Sequence, residues 1–274
     1  MAGEDLGRLV APAPVIAEAM ALATLRPGPD ADPYYDEILV EFGPEGLSTP
    51  AGSTSSSLPT YCSAEADLFD RLETVDDRTV TAVFAIKEFT NWLEWIDDGS
   101  PVEVTFVGDA ETGVVSEFHL SSDDLTAVVD CYRDPESLDS LTFELPSRFT
   151  DEGRFLLENG DPAPVRVETT GEAMSRIVEA VALVPGVEYY PFIVEDGRLR
   201  VHVEGRTGPA AHGRLPGEVL SGDDLRNEYD TEFAAVFRCL SGPVELQTGP
   251  DEPLVVVRRG DGYTLRYVIM PVVW

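Results

Sequence analysis

The chain repeats one order of secondary structure four times: a strand, a helix, and then three or more strands. The strand runs carry β-branched or aromatic residues at a period of about two, separated by turn signals such as DDGSP and AETG. Apolar residues at helical spacing predict four helices, over 13–25, 87–99, 170–184 and 231–241. Each helix must bury its apolar face, so this order predicts an α+β fold with the helices on one face of antiparallel sheets.

Individual residues refine three of these elements. In the second helix the predicted buried stripe is Phe89, Trp92, Leu93 and Ile96. Thr231 is the predicted N-cap of the last helix. Asp-Gly pairs predict tight hairpins at 196–197 and 261–262.

The four repeats fall into two pairs around a long connection. Residues 133–164 show no sustained periodicity and contain four prolines. We therefore predict two similar domains, 1–132 and 165–274, joined by the connecting loop 133–164.

The charge of the chain excludes one broad class of function. There are 51 Asp and Glu against 19 Lys and Arg, a net charge of −32, and Lys87 is the one lysine. Such a surface repels phosphate, which excludes nucleic-acid binding through a general basic surface. Acidic residues with arginine in place of lysine are typical of proteins from extreme halophiles, or from viruses or plasmids that replicate in them, because concentrated salt screens the self-repulsion. An acidic mesophilic protein is the alternative.

Other features predict a cytoplasmic protein without a cofactor. No apolar run approaches the ~20 residues that span a bilayer, and the N-terminal residues lack the pattern of a secretory signal. Cys62, Cys131 and Cys239 are odd in number and far apart, so we predict neither a disulfide framework nor a zinc site.

The usual signatures of an active site are missing from the sequence. His119, His202 and His212 lie outside any HExxH motif, and adjacent acidic residues fall at turn signals. There is no GxSxG elbow and no GxGxxG between a strand and a helix. We therefore predict no catalytic residues and no metal site, and an enzyme is the weakest of the hypotheses.

The last third of the chain carries the most specific resemblance to a known family. SGPVELQTGPDEPLVVVRRGDGYTLRYVIMPVV (241–273) resembles the C-terminal meander of the proliferating cell nuclear antigen (PCNA) sliding clamps, with Met270-Pro271 at the family's closing alanine-proline. YRDPESLDSLTFELPS (132–147) is similar to the interdomain connecting loop of archaeal clamps. The order of elements matches over nearly the whole chain, strongly from about residue 165 and weakly over 1–75.

This resemblance implies a clamp without chemistry of its own. Its members close head to tail into a homotrimer that encircles double-stranded DNA without reading sequence. A clamp loader places the ring, which then tethers DNA polymerase and other replication proteins through short peptide motifs.

The resemblance also implies three sets of residues. The DNA-facing channel residues are Lys87, Arg176, Arg238 and Arg26. The partner-peptide groove comprises Leu138, Leu141, Phe143, Leu145, Pro146, Pro253, Val268, Met270 and Pro271. The subunit interface comprises Leu125, Val128, Val129, Thr207, Ala211 and Gly213.

Each set has a plainer alternative. The four basic residues are few for a DNA channel and are equally consistent with ordinary exposed helix charges. The apolar loop residues are also consistent with packing on their own sheet. The Ser/Thr-rich segment 48–57 and Trp274 depart from the family pattern near the groove. The alternative function is therefore a clamp-fold scaffold that binds partner peptides without encircling DNA.

Overall fold

The computed structural model describes residues 3–21, 24, 37–51, 60–131, 145–206 and 208–272. This part of the chain forms four α-helices, which are α1 (Ala13–Ala21), α2 (Ile86–Ile96), α3 (Gly171–Leu183) and α4 (Thr231–Cys239). The first nine strands are β1 (Glu4–Pro12), β2 (Glu37–Gly43), β3 (Gly46–Ala51), β4 (Thr60–Glu65), β5 (Arg71–Thr74), β6 (Val80–Ala85), β7 (Pro101–Asp109), β8 (Val114–Ser121) and β9 (Thr126–Asp130). The remaining strands are β10 (Val165–Thr170), β11 (Tyr190–Glu195), β12 (Arg198–Glu204), β13 (Ala210–Arg214), β14 (Glu218–Ser221), β15 (Leu225–Tyr229), β16 (Pro243–Thr248), β17 (Leu254–Gly260) and β18 (Tyr263–Ile269).

The strands form two sheets that are almost wholly antiparallel. One has fourteen strands in the order β14-β10-β16-β17-β18-β4-β3-β2-β6-β8-β7-β1-β5, with β9 paired to β8. The other has the order β13-β12-β11-β15. The pairing of β18 with β4 joins the last strand to the fourth, with Leu265 opposite Cys62. The α+β prediction is confirmed, including the fourfold order of strand, helix and strands.

The helices pack in two pairs, α1 with α2 and α3 with α4. Phe89, Leu93 and Ile96 of α2 are almost fully buried, as predicted. Trp92 was wrongly predicted to lie on this buried stripe, because it is 36% exposed and contacts the 54% exposed Trp95 at a ring-centroid distance of 5.5 Å. The buried residues follow i, i+4, i+7 spacing, which turns Trp92 toward the flank of the helix.

Local signals explain where the last two helices begin. The Thr170 hydroxyl accepts a hydrogen bond from the backbone N–H of Ala173 and caps α3. Asp230 rather than Thr231 is the N-cap of α4, which corrects the prediction by one residue. Its carboxylate accepts a hydrogen bond from the Thr231 N–H and lies at the positive end of the helix dipole.

The predicted hairpin between β11 and β12 has the expected turn. Asp196 and Gly197 have φ values of 51° and 66°, as a type I′ turn requires. The strands that it connects pair in register, with Glu195 opposite Arg198.

Alternate residues of β17 contribute to two different hydrophobic clusters. Leu254 and Val256 belong to the main core, which includes the buried helix residues. Val255 and Val257 face the other way and form a second cluster, which also contains Leu145, Phe155, Ala163 and Val268. The segment 145–163 therefore covers the sheet on the face away from the main core.

The fully buried Gln247 holds this segment in place. Its amide nitrogen donates to the Gly153 carbonyl at 3.1 Å, and its amide oxygen accepts from the Phe155 N–H at 2.7 Å. One side chain of β16 thus satisfies two backbone groups of the covering segment, which would otherwise be left without partners against the sheet.

We expect Gln247→Leu to lower the free energy of unfolding by about 2 kcal/mol or more, because it leaves two backbone groups unsatisfied. Denaturant unfolding in molar KCl measures this decrease. The matched control is Asn91→Leu on the exposed side of α2, which should change the stability by less than about 0.5 kcal/mol. Equal stabilities of the two variants would mean that the Gln247 bonds do not hold the segment.

Candidate binding surfaces

The exposed faces of the four helices are acidic rather than basic. Lys87, Arg176 and Arg238 are all exposed, on α2, α3 and α4, whereas Arg26 lies outside the described residues. Five acidic residues are exposed on the same described helices, namely Glu18, Glu88, Glu94, Glu172 and Glu179. The three described channel residues are thus exposed to solvent, but the exposed carboxylates on the helices outnumber them.

Five of the described strands lie at the edge of a sheet, namely β5, β9, β13, β14 and β15, and two of them, β9 and β13, contain predicted interface residues. β9 pairs with β8 and β13 pairs with β12, and within the described ranges neither has a strand on its other side. The N–H of Cys131 donates to the carbonyl of Ser116, which identifies the alternation of hydrogen-bonded pairs along β8 and β9. By this alternation the N–H and C=O of Thr126, Val128 and Asp130 point toward the open edge.

The same alternation applies to β13. The N–H of Leu215 donates to the carbonyl of Leu199, so the backbone groups of Ala210, His212 and Arg214 face the open edge. Each of the two strands therefore offers a short row of unpaired donors and acceptors. Such rows are templates for pairing with another chain.

The predicted interface residues divide between the edge and the core. Val128 is 55% exposed and presents its backbone to the edge, whereas Val129 is 1% exposed and faces the main core. Leu125 and Ala211 are half-buried against the same core, and Gly213 is exposed. Thr207 lies outside the described residues.

The predicted groove is described only in part. Leu145 and Val268 are buried in the second cluster, so they are covered by protein. Pro146 and Met270 are exposed, and Pro253 and Pro271 are half-buried. Leu254 pairs with Ile269, which places Pro253 beside Met270. Leu138, Leu141 and Phe143 lie outside the described residues, as does Trp274.

A polar network that sequence reasoning missed fixes the Pro253 side of this rim. The Asn227 amide nitrogen donates to the Tyr229 hydroxyl at 2.9 Å and to the Gly249 carbonyl at 2.8 Å. The Tyr229 hydroxyl donates to the Glu252 carbonyl at 3.1 Å. Burial raises the pKa of Tyr229 to about 12, so it remains a donor at neutral pH. Its trace in the sequence is the run LRNEY, in which the charged Arg226 and Glu228 alternate with Leu225, Asn227 and Tyr229.

A second polar cluster lies beside the covering segment. Glu245 has a side chain 8% exposed and receives Arg166 at 2.9 Å and Arg259 at 3.0 Å. Burial raises the pKa of the Glu245 carboxyl, but the hydrogen bonds from Arg166 and Arg259 outweigh burial, so the pKa is lowered overall. Arg266 instead lies over the rings of Phe149 and Tyr61, at 4.8 and 5.6 Å.

The described residues contain no group of three or more His, Cys, Asp or Glu that could hold a metal ion. His119, His202 and His212 are exposed on strands. In the same part of the chain no helix has the length and hydropathy needed to cross a membrane.

Comparison with known proteins gives the class of fold. No family model matches the chain, and no curated protein matches it by sequence. Solved structures match at nearly full length. PCNA of A. fulgidus, with the C-terminal region of FEN-1 bound, gives a TM-score of 0.66 at 15% identity over 98% of this chain and 99% of that one.

Two further PCNA structures agree. That from Entamoeba histolytica has a TM-score of 0.66 at 11% identity, over 98% of this chain and 100% of that one. That from Thermococcus kodakaraensis has a TM-score of 0.65 at 17% identity, over 97% of this chain and 100% of that one. The chain therefore has the PCNA sliding-clamp fold.

We expect the stabilising effect of Glu245 to depend on pH in one direction. Its folded-state pKa lies below the ordinary value of about 4.3, so its contribution is full above that pH and disappears as the pH falls through the folded-state pKa. The difference in unfolding free energy between the wild type and Glu245→Gln should accordingly shrink below about pH 4. Urea unfolding at constant KCl measures it, and a difference that grows on acidification would contradict the lowered pKa.

Proposed function

We propose that the protein is a DNA sliding clamp that closes into a homotrimeric ring around duplex DNA and has no chemistry of its own. The observation that carries this proposal is that the predicted interface residues fall on two edge strands, β9 and β13, of a chain with the PCNA fold. The edges have equal length and lie on different parts of the chain, so one can pair with the other in a neighbouring copy. A contact of this head-to-tail kind generates a ring when its rotation closes.

Exposed tryptophans beside one edge support this assembly. α2 packs against β9 and carries Trp92 and Trp95 on its exposed flank. α3 packs against β12, the neighbour of β13, and ends at Leu183, which is 76% exposed. Large apolar side chains at this exposure are typical of interfaces. Pairing the two edges would bring the helix sides together and remove these side chains from water.

The charge of the chain makes the ring dependent on salt. Three copies with a net charge of −32 each repel one another at low ionic strength. Concentrated salt shortens the range of that repulsion to a few Å. The composition thus supports a cytoplasmic clamp from a halophilic archaeon, or from a virus or plasmid that replicates in one. The division into domains 1–132 and 165–274 with the connecting loop 133–164 belongs to the same proposal.

A second candidate function rests on the acidic helix faces. If five exposed carboxylates outweigh three basic residues along the inner surface, a scaffold that binds peptides without encircling DNA is favoured. In the clamp proposal Arg176 and Arg238 contact phosphate, and hydrated cations screen the carboxylates. A clamp loader and a polymerase would be partners of the clamp only.

Partner proteins are proposed to dock at the rim formed by Pro253, Met270 and Pro271. Met270 is 47% exposed, and a flexible thioether suits an adaptable apolar surface. The network of Asn227 and Tyr229 keeps this rim fixed, which lowers the ordering cost of binding a peptide. Leu138, Leu141 and Phe143 would complete the groove from the connecting loop.

We expect Val128→Pro to abolish the ring. The N–H of Val128 points to the open edge and not to β8, so proline removes an intersubunit donor without breaking the β8–β9 ladder. Light scattering in molar KCl should fall from three times the 29.8 kDa chain mass to a single chain.

The control Val128→Thr keeps the N–H and should remain trimeric. Circular dichroism of both variants checks that the fold is retained. A trimer of unchanged mass in the folded proline variant would reject the β9–β13 interface.

We expect Arg176→Glu with Arg238→Glu to weaken DNA retention but not assembly, because both side chains are exposed. Wild-type rings loaded by their clamp loader should stay on circular duplex and leave after linearisation. The double variant should leave circular duplex faster, and its log–log slope against salt should fall by about 0.9 for each phosphate that the arginines no longer neutralise.

The control replaces Arg71 and Arg78, which lie outside the helices, by glutamate. Retention that is equal on linear and circular DNA would favour the scaffold. If both double variants stay on circular DNA as long as the wild type and leave linear DNA, the clamp proposal is retained. Arg176 and Arg238 are then rejected as DNA-binding residues.

A further inference from the structure

The Arg266 guanidinium has aromatic neighbours but no anionic partner. Arg266 lies opposite Val257 in the ladder of β17 and β18, so it shares the sheet face that the segment 145–163 covers. Its guanidinium lies over the rings of Phe149 and Tyr61. Within the described ranges no ion pair or hydrogen bond is found for its side chain, and its Nε is buried without an acceptor. A buried donor of this kind is expected to have a water molecule or an ion as its partner.

The surroundings of this guanidinium disfavour a positive charge. The pKa of Arg266 is lowered, with burial as the largest cause and repulsion from Arg259 as a further one. Tyr61 and Cys62 act in the opposite direction, and no carboxylate of the described chain is among the groups that shift this pKa. Burying a charge without a partner costs free energy. An anion beside Arg266 would therefore stabilise the folded state.

A second guanidinium faces the same place. Arg259 lies two residues after Val257, hence on the same face of β17, and its Nη1 contacts the Glu245 carboxylate at 3.0 Å. A Cβ atom at Gly153 would lie 3.5 Å from the Nη2 of Arg259 and 3.9 Å from the Nη2 of Arg266. Apart from residues adjacent in sequence, no other described atom would come within 4 Å of it. The two Nη2 groups thus converge on a gap that glycine, having no side chain, leaves open.

The size and the charge of the surroundings decide which anion fits. The exposed Asp151 and Glu152 precede Gly153, and neither forms an ion pair with a described arginine. A phosphate strand or an acidic peptide would meet these two carboxylates as well as the net charge of −32. A single small anion contacts only the two Nη2 groups, and in molar salt a Debye length of about 3 Å screens the more distant carboxylates. Chloride at molar concentration satisfies both conditions.

We propose that Arg259 and Arg266 bind a chloride ion beside Gly153, and that this ion fixes the covering segment 145–163 to the sheet. Gly153 belongs to the segment, whereas the two arginines belong to β17 and β18. The ion therefore adds to the hydrogen bonds that Gln247 makes with the same segment. All these residues belong to one chain, so the site does not depend on ring closure.

Crystals grown in KBr test the location, because bromide replaces chloride at such a site and scatters X-rays anomalously. An anomalous difference peak should lie in contact with the Nη2 atoms of Arg259 and Arg266. Crystals of Arg266→Gln should lose this peak. The proposal is overturned if the wild type has no peak between the two arginines, or if the variant keeps it.

Amide hydrogen exchange tests the effect on the segment in solution. The wild type is compared in KCl and in potassium gluconate of equal concentration, because gluconate is too large for the gap. Exchange at Phe155, whose N–H donates to Gln247, should be at least about threefold slower in chloride. The same ratio is expected for Val128→Pro, which separates this site from the success or failure of ring closure.

Arg266→Gln and Arg259→Gln should each remove the difference between the two salts. Arg198→Gln takes the same charge from an exposed position on β12 and should retain the difference. Thermal unfolding checks that all three variants are folded. Equal exchange in the two salts for the wild type, or an unchanged ratio in both site variants, contradicts the proposal.

Discussion

The structure depends on the ladder between β18 and β4. These strands lie about 200 residues apart in the sequence, and their pairing makes one sheet of fourteen strands from what would otherwise be separate sheets. Arg266 and Tyr61 lie opposite each other in this ladder, and the guanidinium covers the ring. Since β17 and β16 follow β18 in the sheet, the same ladder places Val255 and Gln247 under the covering segment 145–163. The Pro253 and Met270 rim is thereby carried on a continuous sheet, which would give the proposed peptide site a rigid base.

The acidic net charge of the chain is the second constraint on its structure. Several of the described basic side chains are engaged locally: Arg166 and Arg259 contact the buried Glu245, and Arg266 lies over aromatic rings. On the described helices the basic residues are Lys87, Arg176 and Arg238, so the proposed DNA channel is poor in cations. In the proposed assembly the apolar groups at Trp92, Trp95 and Leu183 would gain importance, because apolar contacts do not require charges of opposite sign. Salt that is excluded from protein surfaces strengthens such contacts.

The fold was largely predictable from local patterns, and the errors have specific causes. Period-two runs and Asp-Gly pairs identified the strands and the turn at Asp196, since both signals depend on neighbouring residues only. Trp92 was misassigned because an apolar residue on the flank of a helix cannot be told from a buried one until the sheet beneath is known. Thr231 was preferred to Asp230 because both are good caps, and only the backbone conformation decides between them.

The sequence by itself determined the fourfold order of elements, the acidic character and the absence of recognisable catalytic motifs, because each is a local or compositional property. It also located the exposed Lys87, Arg176 and Arg238 on their helices. Only the tertiary structure decided which backbone groups of β9 and β13 face an open edge, that Leu145 and Val268 are buried, and that Arg259 and Arg266 share a face. These facts depend on strand register and on contacts between residues far apart in sequence, and a shift of one residue would reverse each of them.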